Sequence, residues 1–242
     1  MTSSASGPSR AALVRGTWLV SSTADGVTEP ATFRLRDREW DLLPGVFAPN
    51  YCESTAFFTE SIPFPAGGSF LEVGCGTGVT AVTAAAEGCA RVVATDISEA
   101  AVENSRLNAS RHGLSDRIEV YRGDVFDGLR PEDRFDLVFW NSPFIDPGAG
   151  AAPARVQDER REGLRRAVFD PGYRAHRRYL AEAGTRLTAE GRLLLGFSDL
   201  GDHATLHRLA DEAGYRISVL RASGDRVRGI DYQLLELVPS DD

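Results

Sequence analysis

Residues 71–80 read L-E-V-G-C-G-T-G-V-T and place three glycines directly after an apolar, strand-like run. The strand pattern S-F-L-E-V precedes the glycines, and the alanine-rich helical pattern V-T-A-V-T-A-A-A-E-G follows them. Glycine lets the backbone turn sharply and come close to a ligand, because no Cβ atom stands in the way. The stretch therefore predicts the strand, binding loop and helix that begin a βαβ unit.

Strand and helix patterns continue along the rest of the chain. The strand-like runs R-V-V-A-T-D, R-I-E-V-Y-R, F-D-L-V-F-W and R-L-L-L-G-F are interleaved with helical patterns, one of which is capped by Ser98 and ended by Gly113. Two final runs, R-I-S-V-L-R and Y-Q-L-L-E-L-V, have no helix between them. These patterns predict an α/β fold with a Rossmann-like, doubly wound sheet of seven strands, the last two forming an antiparallel hairpin.

The region before this domain divides into two parts. Residues 1–12 are small and polar and predict a disordered tail. Residues 13–41 contain the runs L-V-R-G-T-W-L-V and A-T-F-R-L-R on either side of a turn-rich segment, and predict a small N-terminal β-hairpin. The main domain is then expected over residues 42–242, with a short helix that Pro49 and Asn50 open.

Composition limits the classes of function. The net charge of −8 provides no general basic footprint for nucleic acid, and no run approaches the ~18 apolar residues of a membrane span. The sequence contains no lysine, which excludes a catalytic lysine. Cys52, Cys75 and Cys89 lack C-x-x-C spacing, which favours a reducing cytoplasm without disulfides. His203 and His207 have no third ligand, so no metal site is expected. The oligomeric state is left open.

The spacing of the glycines bears on the cofactor. It is G-x-G-x-G rather than the G-x-G-x-x-G of dinucleotide-binding folds, which argues against a nicotinamide cofactor. Asp96 ends the second strand of the domain, twenty residues beyond Gly76, where a carboxylate can accept hydrogen bonds from ribose hydroxyls. Glu72 suits a cofactor that carries positive charge. The sequence therefore predicts an adenosine-containing cofactor at the carboxyl edge of the sheet.

These motifs together resemble the class I S-adenosylmethionine-dependent methyltransferases. The resemblance rests on E-V-G-C-G-T-G at 72–78, V-V-A-T-D-I-S at 92–98 and G-D-V at 123–125. It implies that S-adenosylmethionine binds over the glycine loop, with Asp96 on the ribose hydroxyls and Ile97 on one face of the adenine. Asp124, next to Val125, is implied for the adenine amino group. The implied loop contacts are Glu72, Gly74, Cys75, Gly76, Thr77 and Gly78.

The fourth strand of the domain ends in N-S-P-F at 141–144. This resembles the (N/D)-P-P-(Y/F) motif of the release-factor glutamine and RNA-guanine N-methyltransferases, which act on planar nitrogens. The resemblance implies that Asn141, beside the cofactor, and the backbone carbonyl of Ser142 accept the two N–H hydrogens of the acceptor nitrogen. Pro143 stiffens the turn, and Phe144 is expected to stack on the planar acceptor group. Ser142 stands where the family usually has proline.

The acceptor is left open. The resemblance favours N-methylation of an amide, amino or guanidino nitrogen on a peptide, a protein or a small metabolite. An RNA base methyltransferase and a non-catalytic S-adenosylmethionine-binding protein are the alternatives. The release-factor enzymes carry a helical N-terminal domain, whereas about forty residues, interpreted as strands, precede the core here. This difference argues against a release factor as the substrate.

Two further segments contain candidate contacts. Before the glycine loop, Tyr51, Glu53 and Thr55 are candidates for a segment that closes over the cofactor. Residues 155–178 are rich in arginine and have two interpretations: a salt-bridged, exposed helix or a pocket wall that binds a carboxylate or phosphate. The arginines of this segment are Arg155, Arg160, Arg161, Arg165, Arg166, Arg174, Arg177 and Arg178.

Overall fold

A computed structural model describes residues 9–148, 158–224 and 229–240. Two strands form a hairpin, β1 (Ala31–Leu35) and β2 (Arg38–Leu42). Seven strands form the central sheet: β3 (Ser69–Val73), β4 (Arg91–Asp96), β5 (Ile118–Arg122), β6 (Phe135–Asn141), β7 (Leu187–Ser198), β8 (Tyr215–Ala222) and β9 (Tyr232–Pro239). The helices are α1 (Arg10–Gly26), α2 (Ser54–Ser61), α3 (Val79–Ala86), α4 (Glu99–Arg111), α5 (Glu159–Arg166), α6 (Arg174–Glu182) and α7 (His203–Glu212).

The central sheet has the strand order β5-β4-β3-β6-β7-β9-β8. The neighbouring strands from β5 to β7 are parallel, whereas β9 is antiparallel to both β7 and β8. The inner parallel strands are buried along most of their length, because helices cover both faces of the sheet. The predicted α/β fold, with seven strands and a terminal antiparallel hairpin, is confirmed.

The prediction of a strand at residues 13–20 is wrong, because these residues belong to α1. The helix begins at Arg10, so residues 10–12 of the predicted disordered tail are also helical, while residues 1–8 lie outside the described residues. The buried positions of α1 recur every three or four residues, which is the period of one helix face. They are Ala12, Gly16, Leu19, Val20 and Thr23.

The hairpin exists, and its first strand β1 is the second of the two predicted runs, but β1 pairs with β2 rather than with the run at residues 13–20. Two buried asparagines of α4 attach β2 to the main domain. Asn108 accepts a hydrogen bond from the backbone N–H of Asp41 at 2.7 Å, and Asn104 accepts one from Leu43 at 2.7 Å. The amide of Asn108 also donates to the carbonyl of Thr77 at 2.8 Å, so the same helix supports the glycine loop.

The described helices serve to cover the sheet. Alanine-rich α3 is buried along seven of its eight positions. Ser98 caps the N-terminus of α4, as predicted, and its Oγ accepts from the N–H of Ala101 at 3.4 Å. No described helix combines the length and apolar character that crossing a bilayer requires.

Candidate active site

Three parallel strands end side by side at one edge of the sheet. β3 pairs with β4 on one side and with β6 on the other, in register up to Val73. The residues at the ends of these strands, Gly74, Asp96 and Asn141, are therefore neighbours at the carboxyl edge. Open α/β sheets bind their ligands at this edge.

The three glycines of the loop have different physical roles. Gly74, Gly76 and Gly78 have φ angles of +66°, +52° and +77°, a region that favours glycine. A Cβ atom on Gly74 would lie 3.0 Å from Nε1 of Trp140, and one on Gly78 would lie 2.5 Å from Oγ of Ser105. A Cβ atom on Gly76 would have no neighbour within 4 Å. The outer glycines are needed for packing, whereas the middle one borders open space.

Asp96 joins the glycine loop to β4. One carboxylate oxygen accepts from the backbone N–H of Gly76 at 2.9 Å, and the other accepts from Ser98 at 2.9 Å. Burial raises the pKa of Asp96, and these amide donors oppose that rise. Each carboxylate oxygen keeps a further lone pair with which to accept a hydrogen bond from a ligand.

Glu72 lies beneath the loop with 3% of its surface exposed. Its Oε2 atom accepts from the backbone N–H of Ala81 at 2.8 Å, and the side chain of Thr80 also hydrogen-bonds to the carboxyl. Burial raises the pKa of Glu72 to about 8, so the carboxyl is mostly protonated at neutral pH. A cationic ligand nearby would favour its charged form.

The loop after β5 holds a strained residue. Val125 has φ +55°, which is unfavourable for a β-branched side chain. The backbone carbonyl of Val125 accepts from Oγ1 of Thr95 at 2.8 Å, and that of Asp124 accepts from Arg178 at 2.9 Å. These two donors fix the loop that the family resemblance assigns to the adenine.

A cavity of about 1020 Å³ connects these features. Its lining contains every predicted cofactor residue except Gly78: Glu72, Gly74, Cys75, Gly76, Thr77, Asp96, Ile97, Asp124, Val125 and Asn141. The carboxyl groups of Glu72, Asp96 and Asp124 and a glycine without a Cβ neighbour therefore border one large cavity. This lining fits a cationic, adenosine-containing cofactor such as S-adenosylmethionine.

Asn141 and Pro143 also line the cavity. Within the described parts of the chain, the side-chain amide of Asn141 has no hydrogen-bond partner. A half-buried amide that is left without a protein partner is available to a ligand. Asn141 additionally borders a second cavity of about 50 Å³, which Ser142 and Phe144 help to line.

The side chain of Ser142 points away from the large cavity into the protein. Its hydroxyl donates to the carbonyl of Gly196 at 2.8 Å, and Nε2 of His176 lies 3.0 Å from the same oxygen. Nδ1 of His176 lies 2.8 Å from Asp170. This order resembles a serine hydrolase triad, but the hydroxyl of the buried Ser142 donates to Gly196 and is not presented to a substrate as a nucleophile. We interpret the three residues as a clamp that holds the turn after β6.

Phe144 lies in an aromatic cluster and not in the lining of the large cavity. Its ring centroid is 6.1 Å from Phe197, 6.2 Å from Tyr232 and 6.4 Å from Phe58. The role that the resemblance gives it, stacking on the acceptor, therefore stays a prediction that concerns the small cavity.

One of the three candidate residues in the segment before the glycine loop borders the large cavity. Thr55 lines the cavity, whereas Tyr51 and Glu53 do not. The ring of Tyr51 instead packs edge-on against Trp18 of α1 at 6.1 Å. The residue pattern alone does not show which of the three residues lines the cavity. Tyr51 packs against α1, a helix that the sequence patterns do not predict.

Sequence reasoning also missed Asp170 and His176. Asp170 accepts from the backbone N–H groups of Ala175 and His176 at 3.1 and 3.0 Å, and it lines the cavity. An aspartate shortly before a helix is a sequence signal for such a contact. No sequence signal relates His176 to Ser142, since only the packing of α6 beside β6 joins them.

Comparison with known proteins finds one matching family model and several relatives. Residues 40–157 match the family model of the methyltransferase small domain. The chain is 34% identical over 171 residues to the release factor glutamine methyltransferase of Gloeobacter violaceus, covering 68% of this chain and 58% of that protein. It is 35% identical over 126 residues to the ribosomal protein uL3 glutamine methyltransferase of Bradyrhizobium diazoefficiens, covering 51% of this chain and 39% of that protein. The chain thus spans less than two thirds of these curated relatives.

Among solved structures, the chain resembles the 16S rRNA N2 G1207 methyltransferase of T. thermophilus in complex with AdoMet and guanosine. The TM-score is 0.61 at 19% identity, covering 88% of this chain and 50% of that chain. It also resembles a ribosomal protein L11 methylase from Lactobacillus delbrueckii, with a TM-score of 0.53 at 16% identity, covering 77% of this chain and 78% of that one. At these identities the likeness concerns the fold.

Proposed function

The chain carries the methyltransferase small domain of S-adenosylmethionine-dependent methyltransferases, and from this premise we propose that it methylates a planar nitrogen, foremost a side-chain amide of a peptide or protein. The amide is favoured because the relatives of 34% and 35% identity are named as glutamine methyltransferases of a release factor and a ribosomal protein. Amino and guanidino nitrogens of peptides or small metabolites present the same planar N–H geometry and belong to the same proposal.

The observation that carries this proposal is the position of Asn141. It ends β6 beside the ends of β3 and β4, lines the same cavity as Gly76 and Asp96, and has no side-chain hydrogen bond to the described residues. A delocalised nitrogen is a poor nucleophile. An acceptor pair for its two N–H hydrogens, the Asn141 side-chain oxygen and the Ser142 carbonyl, favours a pyramidal nitrogen with an available lone pair.

S-adenosylmethionine, when bound, supplies an electrophilic methyl group on a positively charged sulfur. The residues of this chain hold and orient the partners. Asp96 accepts hydrogen bonds at the edge of the glycine loop, and Glu72 places a carboxyl beneath it. Pro143 keeps the turn rigid, and the clamp on Ser142 holds its backbone in place.

The test uses Asn141→Ala and purified wild-type protein. Calorimetry with S-adenosylhomocysteine measures the cofactor site, and transfer of a labelled methyl group measures activity on three probes: a peptide with one glutamine, a peptide with one arginine, and an RNA oligonucleotide. We expect Asn141→Ala to keep its affinity for S-adenosylhomocysteine and to lose at least about 100-fold in transfer, the scale on which a positioned polar group acts.

Wild-type protein that does not bind S-adenosylhomocysteine would contradict the proposal. Labelling of the RNA alone would support the RNA base methyltransferase instead. The net charge of −8 disfavours that alternative, because nucleic-acid affinity depends largely on neutralising phosphates.

A further inference from the structure

We infer that the methyl acceptor carries an anionic group, a carboxylate or a phosphate, and that Arg165 and Arg174 bind it beside Asn141. The inference rests on the proposed function, because it concerns the acceptor of the same site. It names a feature of the substrate that the family does not supply.

The arginines of residues 158–178 differ in their partners. Four of the seven are neutralised by acidic side chains, and Arg160, which has no such ion pair within the described residues, does not line the cavity. Arg161 pairs with Asp25 at 2.9 Å, Arg166 with Glu162 at 3.1 Å, and Arg177 with Glu212 at 3.3 Å. These three pairs fit the interpretation of a salt-bridged surface. Arg155, from the same arginine-rich segment, lies outside the described residues.

Arg178 is also neutralised, although it lines the cavity. Its guanidinium lies 2.6 Å from Asp127 and 2.8 Å from Glu182. It also donates to the backbone carbonyl of Asp124 at 2.9 Å. Arg178 is therefore engaged in holding the loop after β5, and it has little capacity left for a substrate anion.

Arg165 and Arg174 differ from these residues. Both line the cavity, and within residues 9–148, 158–224 and 229–240 neither side chain has an ion pair or a hydrogen bond. The guanidinium of Arg165 lies 5.9 Å from the ring of Phe169, a contact that orients the group but leaves its N–H donors unused. The cavity thus contains two guanidinium groups without a counter-charge.

The acidic groups of the cavity do not supply that counter-charge. Asp170 is occupied by His176 and by two backbone N–H groups, and Glu162 is paired with Arg166. Asp124 lies 3.6 Å from Arg178. Each of the carboxyl groups in the lining, including Glu72 and Asp96, already has a partner in the protein. An anionic ligand would supply the counter-charge that the described protein groups do not give to Arg165 and Arg174.

The position of the two arginines relates them to the acceptor side of the cavity. Arg165 lies in the last turn of α5 and Arg174 begins α6, so both flank the turn at residues 169–171. Ile145, immediately after the N-S-P-F segment, bonds to this turn: its N–H donates to Val168 at 3.4 Å, and its carbonyl accepts from Asp170 at 2.9 Å. The turn between the two arginines is thus bonded to the chain just after the N-S-P-F segment, not to the glycine loop.

Arginine suits this task because its planar guanidinium can form two parallel hydrogen bonds with a carboxylate or a phosphate. Such charge-assisted hydrogen bonds are shorter and stronger than those between neutral groups. A peptide acceptor could present an Asp, Glu or terminal carboxylate, and a small metabolite could present either anion.

The test titrates protein that is saturated with S-adenosylhomocysteine. The carboxylate of this cofactor product then occupies its own site, and the probe anions cannot bind there. The probes are inorganic phosphate, N-acetylglutamine with its free carboxylate, and N-acetylglutaminamide as a neutral control. We expect one of the two anions to bind and the neutral control not to bind. The anion that binds distinguishes a phosphate acceptor from a carboxylate acceptor.

Arg165→Ala and Arg174→Ala should each weaken anion binding by about tenfold or more. Arg177→Ala is the matched control, because Arg177 is on the same helix as Arg174, is paired with Glu212 and does not line the cavity. Its anion affinity should equal that of the wild-type protein.

Three results would overturn the inference: no binding of either anion, equal anion binding by all variants, or weaker S-adenosylhomocysteine binding by Arg165→Ala and Arg174→Ala. The last result would mean that the pair holds the carboxylate of the cofactor. A wild-type protein that fails to bind S-adenosylhomocysteine contradicts the proposed function instead, and the anion titration of the unliganded protein then still tests the arginine pair.

Discussion

Nε2 of His176 lies 3.0 Å from Oγ of Ser142, which joins the first turns of α6 to the turn after β6. His176 is 1% exposed and its other ring nitrogen lies 2.8 Å from Asp170. The residue that stands in place of the family's usual proline is thus held by a buried polar network. Where proline would stiffen the turn through its ring, Ser142 does so through hydrogen bonds to Gly196 and His176.

Ser142→Ala tests this clamp. The change leaves Nε2 of His176 buried without a partner, which costs about 1–3 kcal/mol in the free energy of unfolding. Urea denaturation measures the cost, and the exposed helical Ser110→Ala serves as a control that should change stability by less than about 0.5 kcal/mol. Equal stability of the two variants would show that the network does not hold the turn.

Gly76→Ala should separate cofactor binding from folding. A methyl group at this position meets no atom within 4 Å, so the fold is expected to lose only about 1–2 kcal/mol from the φ angle of +52°. Because Gly76 lines the cavity, the same methyl group should weaken S-adenosylhomocysteine binding by at least about tenfold, a cost of about 1.4 kcal/mol.

The matched control for Gly76→Ala is Gly88→Ala. Gly88 also has a positive φ, +103°, and open space around its Cβ position, but it does not line the cavity. Calorimetry should find wild-type affinity for S-adenosylhomocysteine in this variant. If both variants bind equally well, the ligand does not approach the middle glycine.

Glu72 should make stability depend on pH. Its pKa is raised from 4.5 to about 8 in the folded protein, so between these values the folded state binds more protons than the unfolded state. This contribution to stability is complete below about pH 4.5 and is lost as pH rises through about 8. The free energy of unfolding should therefore fall with rising pH by up to about 1.4 kcal/mol per unit in this window.

Glu72→Gln removes that titration. Denaturation curves of both proteins, measured from pH 4.5 to 8.5, should show a stability difference that shifts in favour of the variant as pH rises. A difference that stays constant over this range would mean that the buried carboxyl does not titrate there.

Gly16→Leu tests the packing of α1. A Cβ atom at Gly16 would lie 2.6 Å from the ring of Phe169 and 2.8 Å from Ile145, so a leucine should overpack the contact and destabilise the fold by about 1–3 kcal/mol or more. Thr17→Ala changes the exposed neighbour on the same helix and should be close to neutral. Thermal unfolding compares the two, and similar melting temperatures would contradict this packing of α1.

The central sheet and the cofactor loop follow from local patterns. The glycine spacing at 74–78, the carboxylate at Asp96 and the amide at Asn141 each come directly after an apolar run, and parallel strands bring their ends to one edge. The run L-V-R-G-T-W-L-V predicts a strand where α1 forms, because it is rich in residues that favour strands. Its three- and four-residue periodicity, visible when Ala12, Gly16 and Thr23 are included, was the stronger signal.

The sequence by itself determined the sheet, the position of the glycine loop and which side chains end the strands, because these properties depend on residues that are close along the chain. Only the tertiary structure decided which arginines keep a counter-charge and which do not, and that Ser142 is bound by His176. The physical reason is that ion pairing and the burial of polar groups depend on contacts between segments far apart in sequence. No local sequence pattern predicts which acidic side chain pairs with which arginine.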